Sequence, residues 1–391
     1  MSALVSLFYL YDPWLNHIWR MAFVVGIVAC VAVGYKVYRG QYPQGLAMPK
    51  DSLWAIGLLI GLSVIPLVIH QSQDFSVLKM YSKTLILFIF AWAIYQWLYV
   101  QQKEKIIRDL KIGIAIQCVL AMLALLGVEF IIEFLFSVHI PLPRFYGSEQ
   151  QYRLYALTSS AFFQLSIFYC LLLHFLLAYH KAYSSRSVWW LLPLLIIGTL
   201  SGRTFLLCAW GSLLLYFQWR YLPSLVVFVL LILGLAYYFP EQRYIAHALE
   251  PIINLLHQGQ EVSSSTTTLV EKHLFVPEFR HFVMGDGYYL NQDGRYYAGS
   301  DSGFIRQLFY GGVAYVLLCL VFTSYFIWRV AQNWFTGLSK WLFFLSTLGL
   351  ISLFNIKADS YAFPGLMLVL LMFLSLFGTA GQQGYLFKFR K

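Results

Sequence analysis

Seven arginines, Arg144, Arg153, Arg203, Arg243, Arg280, Arg295 and Arg306, lie between long apolar runs or at their ends. A guanidinium at the edge of a hydrocarbon layer is costly unless it meets an anion or reaches water. Its planar fork suits two-point binding of phosphate or carboxylate. The chemistry this suggests is capture of a lipid-linked phosphate or pyrophosphate; the structural alternative is snorkelling to lipid headgroups. Arg203 is the most specific of the seven, because Ser201-Gly202-Arg203 reads as a tight turn between two apolar arms. Asp301, in Ser300-Asp301-Ser302-Gly303 just before an apolar run, is the candidate general base, since a carboxylate in a half-dry site holds its proton more tightly. As an alternative or in addition, Asp301 caps the following helix.

His247, His257, His273 and His281 match no zinc spacing, and no metal ligand set is assigned. His281 is retained as a site residue because it stands beside Arg280 and ahead of Gly285-Asp286-Gly287. Glu129 and Glu133, four apart on one helical face, are either the lip of an acceptor site or a wet helix end. Lys357 and Asp359 either form a local ion pair or join the mouth of the cavity. There is no phosphate-binding Gly-rich loop of the Walker type, no serine-hydrolase elbow and no HExxH. No cofactor is called for.

The elements that must position these residues are membrane spans. Sixty per cent of the residues are hydrophobic and 11% are charged, far below the ~25% charged residues of a soluble domain. A helix needs ~20 apolar residues to cross the hydrocarbon core. The sequence predicts an all-α polytopic membrane protein with eleven spans, near 18–36, 52–69, 80–100, 111–136, 157–179, 187–201, 204–219, 222–239, 304–328, 339–356 and 362–379. Residues 2–12 are read as an interfacial helix, with a twelfth, partial span as the alternative. The stretch 187–219 would be ~50 Å long as one helix, too long for a ~30 Å core, so it is read as a hairpin breaking at Ser201-Gly202-Arg203. The organisation expected is a bundle over 1–239, a polar loop over 240–303 and a C-terminal group of helices over 304–391.

Charge sets the sidedness. The segments 36–51, 101–111, 180–187, Arg220, 329–340 and 380–391 hold 15 basic and three acidic residues, and the rest of the chain holds 12 basic and 14 acidic. The positive-inside rule makes the first set cytoplasmic and puts loop 240–303 on the opposite face. The net charge of +10 is therefore topological and implies no nucleic-acid partner. Within the loop, Ile245, Leu249, Ile252, Ile253 and Leu256 share one helical face and predict a surface helix over 244–257. Ser263–Thr268 is a polar low-complexity run. A second helix over 268–282 is interrupted at Pro277. The five cysteines lie in apolar runs with no paired spacing and read as buried small hydrophobes.

Three segments together resemble the bacterial Wzy-type polysaccharide polymerases of the O-antigen ligase and polymerase superfamily. They are RFYGSEQQYRLYALTSSAFF (144–163), LSGRTF (200–205), and FVMGDGYY (282–289) followed by SDSGFIRQLFYGG (300–312). The ligase branch carries His-Asn-x-x-Leu-Gln-x-x-x-Glu-x-Gly at the third segment. Here its His falls on Asp301, its Glu on Tyr310 and its last Gly on Gly312. The missing His favours a polymerase over an O-antigen ligase acting on lipid A–core. The Arg-x(10)-Gly pattern of some polymerases is absent at these arginines. The resemblance implies a metal-independent glycosyltransferase of the bacterial inner membrane, working on the periplasmic face with undecaprenyl-pyrophosphate-linked oligosaccharides and serving lipopolysaccharide or capsule biosynthesis. A chain-length regulator would be a further partner, beside the membrane lipid. Arg203 and Asp301 would be catalytic and are expected to face a common cavity. Arg144, Arg153, Arg280, His281 and Arg306 would bind pyrophosphate or glycan, and Tyr288 and Tyr289, with Tyr296 and Tyr297, would stack on sugars. A flippase or other transporter is the reading from another class. It would place polar groups in broken helices at mid-membrane, often in two related halves, and the sequence shows no such halves.

Overall fold

The computed structural model describes residues 1–42, 46–139, 151–184, 187–254, 269–378 and 385–387. In chain order the helices are α1 (Ser2–Tyr11), α2 (Met21–Tyr38), α3 (Lys50–His70), α4 (Ser76–Leu98), α5 (Lys103–Leu125), α6 (Glu129–Ser137), α7 (Phe162–Tyr183) and α8 (Leu191–Ser201). There follow α9 (Arg203–Leu215), α10 (Leu222–Tyr238), α11 (Arg243–Ala248), α12 (Glu250–Ile253), α13 (Phe279–Met284), α14 (Gly303–Trp334), α15 (Gly337–Lys357) and α16 (Leu366–Leu374). Two short antiparallel ribbons, Trp14–Leu15 with Trp19–Arg20 and Leu46–Ala47 with Tyr385–Phe387, are the strands among the described residues.

The protein is a multi-pass α-helical membrane protein. Seven helices of the described residues are long and apolar enough to cross a bilayer: α2, α3, α4, α7, α10 with the turn before it, α14 and α15. The other four segments expected to span are also helical, but shorter or more charged. The arms α8 and α9 have 11 and 13 residues, and α16 has nine. The segment expected as one span over 111–136 is two helices. α5 starts eight residues earlier, in the charged run Lys103–Lys111, and ends at Leu125. Gly127 then turns the chain at φ +81°, a conformation that favours glycine, and α6 begins at Glu129. Glu129 and Glu133 thus lie on a separate short helix.

The chain divides into two compact, interleaved units: residues 1–25 with 102–264, and 26–101 with 265–391. In the first unit α7 is the central helix, buried on every face from Leu165 to His180, as a helix apolar all round should be. It packs against α8 and α9, and α5 packs against α8 and α1. Residues 2–12 are therefore not an interfacial helix: Leu7, Tyr9, Leu10 and Tyr11 are buried beside α5. In the described part of the chain between α6 and α7, Val138, His139 and residues 154–159 are buried, so their backbone polar groups need internal partners. Gln117 of α5 supplies two, donating to the Leu157 carbonyl at 2.9 Å and accepting from its amide at 2.8 Å. His139 Nε2 donates to the Leu154 carbonyl at 2.6 Å.

In the second unit α14 packs against α3, α13, α15 and α16, and α4 packs against α3 and α16. α14 is broken at Gly311 and Gly312, the latter with φ +67°. The break has a visible cause. The Asp286 and Gly287 amides donate to the Phe309 and Tyr310 carbonyls, at 2.7 and 3.0 Å, in place of the amides one turn on. Backbone meets backbone there. A Cβ at Gly285 would lie 2.7 Å from the Gly311 nitrogen, and one at Gly312 would run into the Val283 carbonyl. The Gly-x-Gly step and the later Gly-Gly pair are two halves of one contact.

Of the polar loop, 240–254 belongs to the first unit and 269–303 to the second. The helix expected over 244–257 is, in its described part, two short helices. Pro251 can begin a helix but cannot continue one, because it has no N–H to donate. The run expected over 268–282 is a single π-type turn over Leu269–His273 and then α13, divided by the segment containing Pro277. Ser263–Thr268 lies outside the described residues.

Candidate functional site

The first unit holds an arginine pair. The expected hairpin is present: α8 ends at Ser201, Gly202 follows and α9 begins at Arg203. Arg203 is mostly buried. It pairs with Glu250 of α12, donates through Nε to the His247 carbonyl at 3.0 Å, and through Nη2 to His247 Nδ1 at 2.9 Å. Arg153 sits on a 3₁₀ turn, Gln151–Leu154, whose Tyr152 and Leu154 are buried. Its Nε donates to the Ser201 carbonyl at 3.2 Å, and its guanidinium lies 4.3 Å from the centre of the Phe162 ring.

Burial draws the Arg153 guanidinium down to about 10; Tyr152 opposes the shift and the positive charge of Arg203 adds to it. Arg153 remains a cation at neutral pH, within electrostatic reach of a second one. Gly202 is what lets the two approach. A Cβ there would lie 2.7 Å from Ser166 Oγ and 3.0 Å from Arg153 Nη2. The cavity bordered by Gln117, Tyr152, Arg153 and Ser201 measures ≈ 10 Å³, about enough for one water. Any larger anion must reach Arg203 by competing with Glu250.

The second unit holds a carboxylate and histidine cluster around the start of α14. Arg306 is buried and heavily engaged. Nε donates to the Ser300 carbonyl at 2.8 Å, Nη1 to Asp359 at 3.2 Å and Nη2 to Asp301 at 3.0 Å, and the ring of Tyr296 lies against it with its centre 3.2 Å away. The guanidinium thus ties residues 296–301 and the segment after α15 to the first turn of α14.

The two carboxylates on Arg306 differ in surroundings. The Asp301 side chain is 59% exposed and that of Asp359 is 2% exposed. The half-dry carboxylate expected at 301 is at 359, and burial pushes the Asp359 carboxyl well above the ordinary carboxylate range. Asp359 also accepts from Tyr289 Oη. Its charged partner is Arg306. Asp301 does not cap α14; Ser302 occupies that position.

Two His–Asp pairs complete this cluster. The Asp301 amide donates to His273 Nδ1 at 3.1 Å, leaving His273 Nε2 3.6 Å from the Asp301 carboxylate. His281 Nδ1 lies 2.9 Å from Asp286 Oδ1, and its ring stacks on Phe309 at 4.9 Å. In the tautomer that carries its proton on Nδ1, that nitrogen donates to Asp286, and Nε2 faces the exposed Glu278 carboxylate at 3.8 Å. The Asp286 contact is how a carboxylate orients an imidazole for general-base work.

Tyr288 stacks on Tyr297 with centres 5.4 Å apart and both rings partly accessible, a surface suited to a sugar. Tyr289, expected to do the same, is buried with its hydroxyl on Asp359, and so serves the scaffold. Its amide and that of Leu290 both donate to Asp74, at 2.7 Å each, which anchors the loop to the turn between α3 and α4. Arg280 is exposed. Arg144 lies outside the described residues.

The structure thus brings Arg153 together with Arg203 in the first unit, and Asp301 with Arg306 in the second. Sequence reasoning missed His247 and Glu250 as partners of Arg203, Asp286 as partner of His281, and Asp359 as the buried carboxylate. The spacing of five between His281 and Asp286 matches no regular periodicity, and the pair meets only because Gly285, at φ +68°, reverses the chain. Among the described residues no three His, Cys, Asp or Glu side chains are grouped so as to hold a metal ion. Comparison of the chain with family models, curated proteins and solved structures found no match.

Proposed function

We propose that this protein is a membrane glycosyltransferase, a polysaccharide repeat-unit polymerase. It would move a growing glycan from its undecaprenyl pyrophosphate onto a sugar hydroxyl of a lipid-linked repeat unit, on the periplasmic face of the bacterial inner membrane. The observation that carries the reading is the Arg153–Arg203 pair. Two desolvated guanidiniums within electrostatic reach of each other repel, and a multiply charged anion relieves that repulsion. Glu250 marks where an anionic oxygen would sit on Arg203. As the glycosidic bond breaks, negative charge grows on the leaving pyrophosphate, and fixed cations in a water-poor setting stabilise that change most.

The attacking hydroxyl needs a proton acceptor. His281, oriented by Asp286, has the geometry of one, and Asp301 is the exposed carboxylate of the same unit. Tyr288 and Tyr297 offer the stacked face that sugar rings favour. No step calls for a metal or an organic cofactor.

The test is a reconstituted assay with undecaprenyl-pyrophosphate-linked repeat units, read as a ladder of chain lengths. Arg203→Ala is expected to shorten or abolish the ladder, while His281→Ala and Asp301→Ala separate the two candidate bases. Full-length glycan at wild-type levels in all three variants would reject the site. Glycan appearing on lipid A–core without any ladder in the wild type would point to a ligase.

A further inference from the structure

A second cavity of the first unit lies at the other ends of its helices, away from the arginine pair. It measures ≈ 550 Å³ and is formed where the start of α5 meets the end of α7, Ser187 and Trp189. That is the size range of small-ligand sites. Its borders include Glu104, Arg108, Lys111, Tyr179, Tyr183 and Trp189.

Lys111 is the unexplained group. Only 8% of it is exposed, and its ammonium has no hydrogen-bond or ion-pair partner among the described residues. It also lies within electrostatic reach of Arg220, a like charge. An unpaired ammonium that borders a cavity beside a second cation makes that cavity favourable for an anion. The acids nearby do not fill that role. Asp109 is paired with Arg108 at 3.0 Å, and Glu104 lies at the border beside Tyr179.

The rim is aromatic and half-exposed: Tyr183 is 49% exposed and Trp189 50%. Tyr and Trp rings with one apolar and one wet side sit at the headgroup level of a bilayer. The cavity opens at an end of α7, one of the bilayer-crossing helices. Basic cavities between helices at that depth suit the phosphate of an acidic lipid.

We propose that this cavity is an anion site that takes the phosphate group of an acidic phospholipid, with Lys111 as its ion-pair partner, Arg108 as a second contact and Tyr183 and Trp189 as the rim. It is separate from the arginine pair and does not depend on the glycosyltransferase reading. Its assignment to the cytoplasmic leaflet rests on the basic excess of segments 101–111 and 180–187. A bound headgroup would clamp α5 to α7, so lipid composition would set the stability of the first unit.

The experiment uses the full-length protein in nanodiscs of phosphatidylcholine alone or with phosphatidylglycerol, and a third arm of phosphatidylcholine with inorganic phosphate. The readouts are the thermal unfolding midpoint and the lipids retained in native mass spectrometry. Wild type should retain phosphatidylglycerol over phosphatidylcholine and unfold at a higher temperature with it. Lys111→Gln should weaken retention about tenfold, the order expected for one desolvated charge-assisted contact. Arg108→Gln, at a side chain that is 63% exposed, should weaken it less. Arg39→Gln, a basic residue outside the cavity, should leave it unchanged. Stabilisation by phosphate alone, lost in Lys111→Gln, would keep the anion site but make its ligand a free phosphate. The proposal falls if wild type does not discriminate between the lipids, if Lys111→Gln and Arg108→Gln both bind as wild type, or if Arg39→Gln lowers retention as much as they do.

Discussion

The strongest quantitative consequence concerns the unequal carboxylates on Arg306. Removing one partner of a buried ion pair strands the other charge and costs about 3–5 kcal/mol. Arg306 is 4% exposed and Asp359 is 2% exposed, so this regime applies to Asp359→Ala. Arg306 would keep Asp301, the Ser300 carbonyl and the Tyr296 ring, which places the ionic cost near the lower end. The Tyr289 hydroxyl would lose its acceptor as well, adding about 1 kcal/mol. The sum is about 4 kcal/mol. Asp301→Ala removes a carboxylate that is 59% exposed, and such pairs contribute about 0–1 kcal/mol. Replacing both buried partners with apolar side chains of similar volume, Arg306→Met with Asp359→Leu, should recover most of the stability lost by Asp359→Ala, because no buried charge is then left unpaired and the exposed Asp301 carboxylate keeps its water. The assay is equilibrium unfolding in mixed micelles followed by tryptophan fluorescence, with hydrogen exchange over 285–303 to localise the effect. Equal losses for Asp359→Ala and Asp301→Ala would refute the reasoning. So would a loss below about 1 kcal/mol for Asp359→Ala, or a double variant no more stable than it.

Gly202→Ala should displace Arg153, because the new methyl meets Ser166 Oγ and Arg153 Nη2. The expected result is an overpacking cost of about 1–3 kcal/mol and a drop in polymerisation of up to about 10²-fold, read from the ladder assay and a melting curve on the same sample. Burial holds the His139 imidazole at about 4, against an ordinary value of 6.5. A depressed value in the folded state means that the unfolded chain takes up the proton first. Stability is therefore full above pH 6.5 and falls as pH drops towards 4, by about 3 kcal/mol at most. His139→Gln should flatten that slope in melting curves recorded between pH 4 and 7.

Much of the architecture could be read from composition and period. Eighteen or more apolar residues in a row leave few choices, since only a helix pairs all its own backbone groups without water. The hairpin at Gly202 followed from length, because one continuous helix would have overrun the bilayer, and from the Ser201-Gly202-Arg203 turn signal. The interruption at Pro277 was legible; the one at Pro251 was hidden, because the apolar face from Ile245 to Leu256 runs on across it. The extent of α5 was less legible, because its charged first turns belong to the same helix as its apolar remainder. The burial of α1 was also hidden. An apolar ten-residue segment reads the same whether it lies on a membrane or against α5.

The sequence by itself determined the class, the basic side and the arginine-bearing turns, because hydrophobicity and charge act locally and need no partner to be read. It also marked Arg203 and Asp301 as residues worth finding. Tertiary structure decided what each one touches. Arg203 meets Glu250 and His247, more than forty positions away, and Arg306 meets Asp359 over a separation of 53. Which of two aspartates is dry and which tyrosine is spent on the scaffold follow from those long-range contacts. A carboxylate carries no local mark of its eventual burial, because its solvent exposure is set by whatever packs over it.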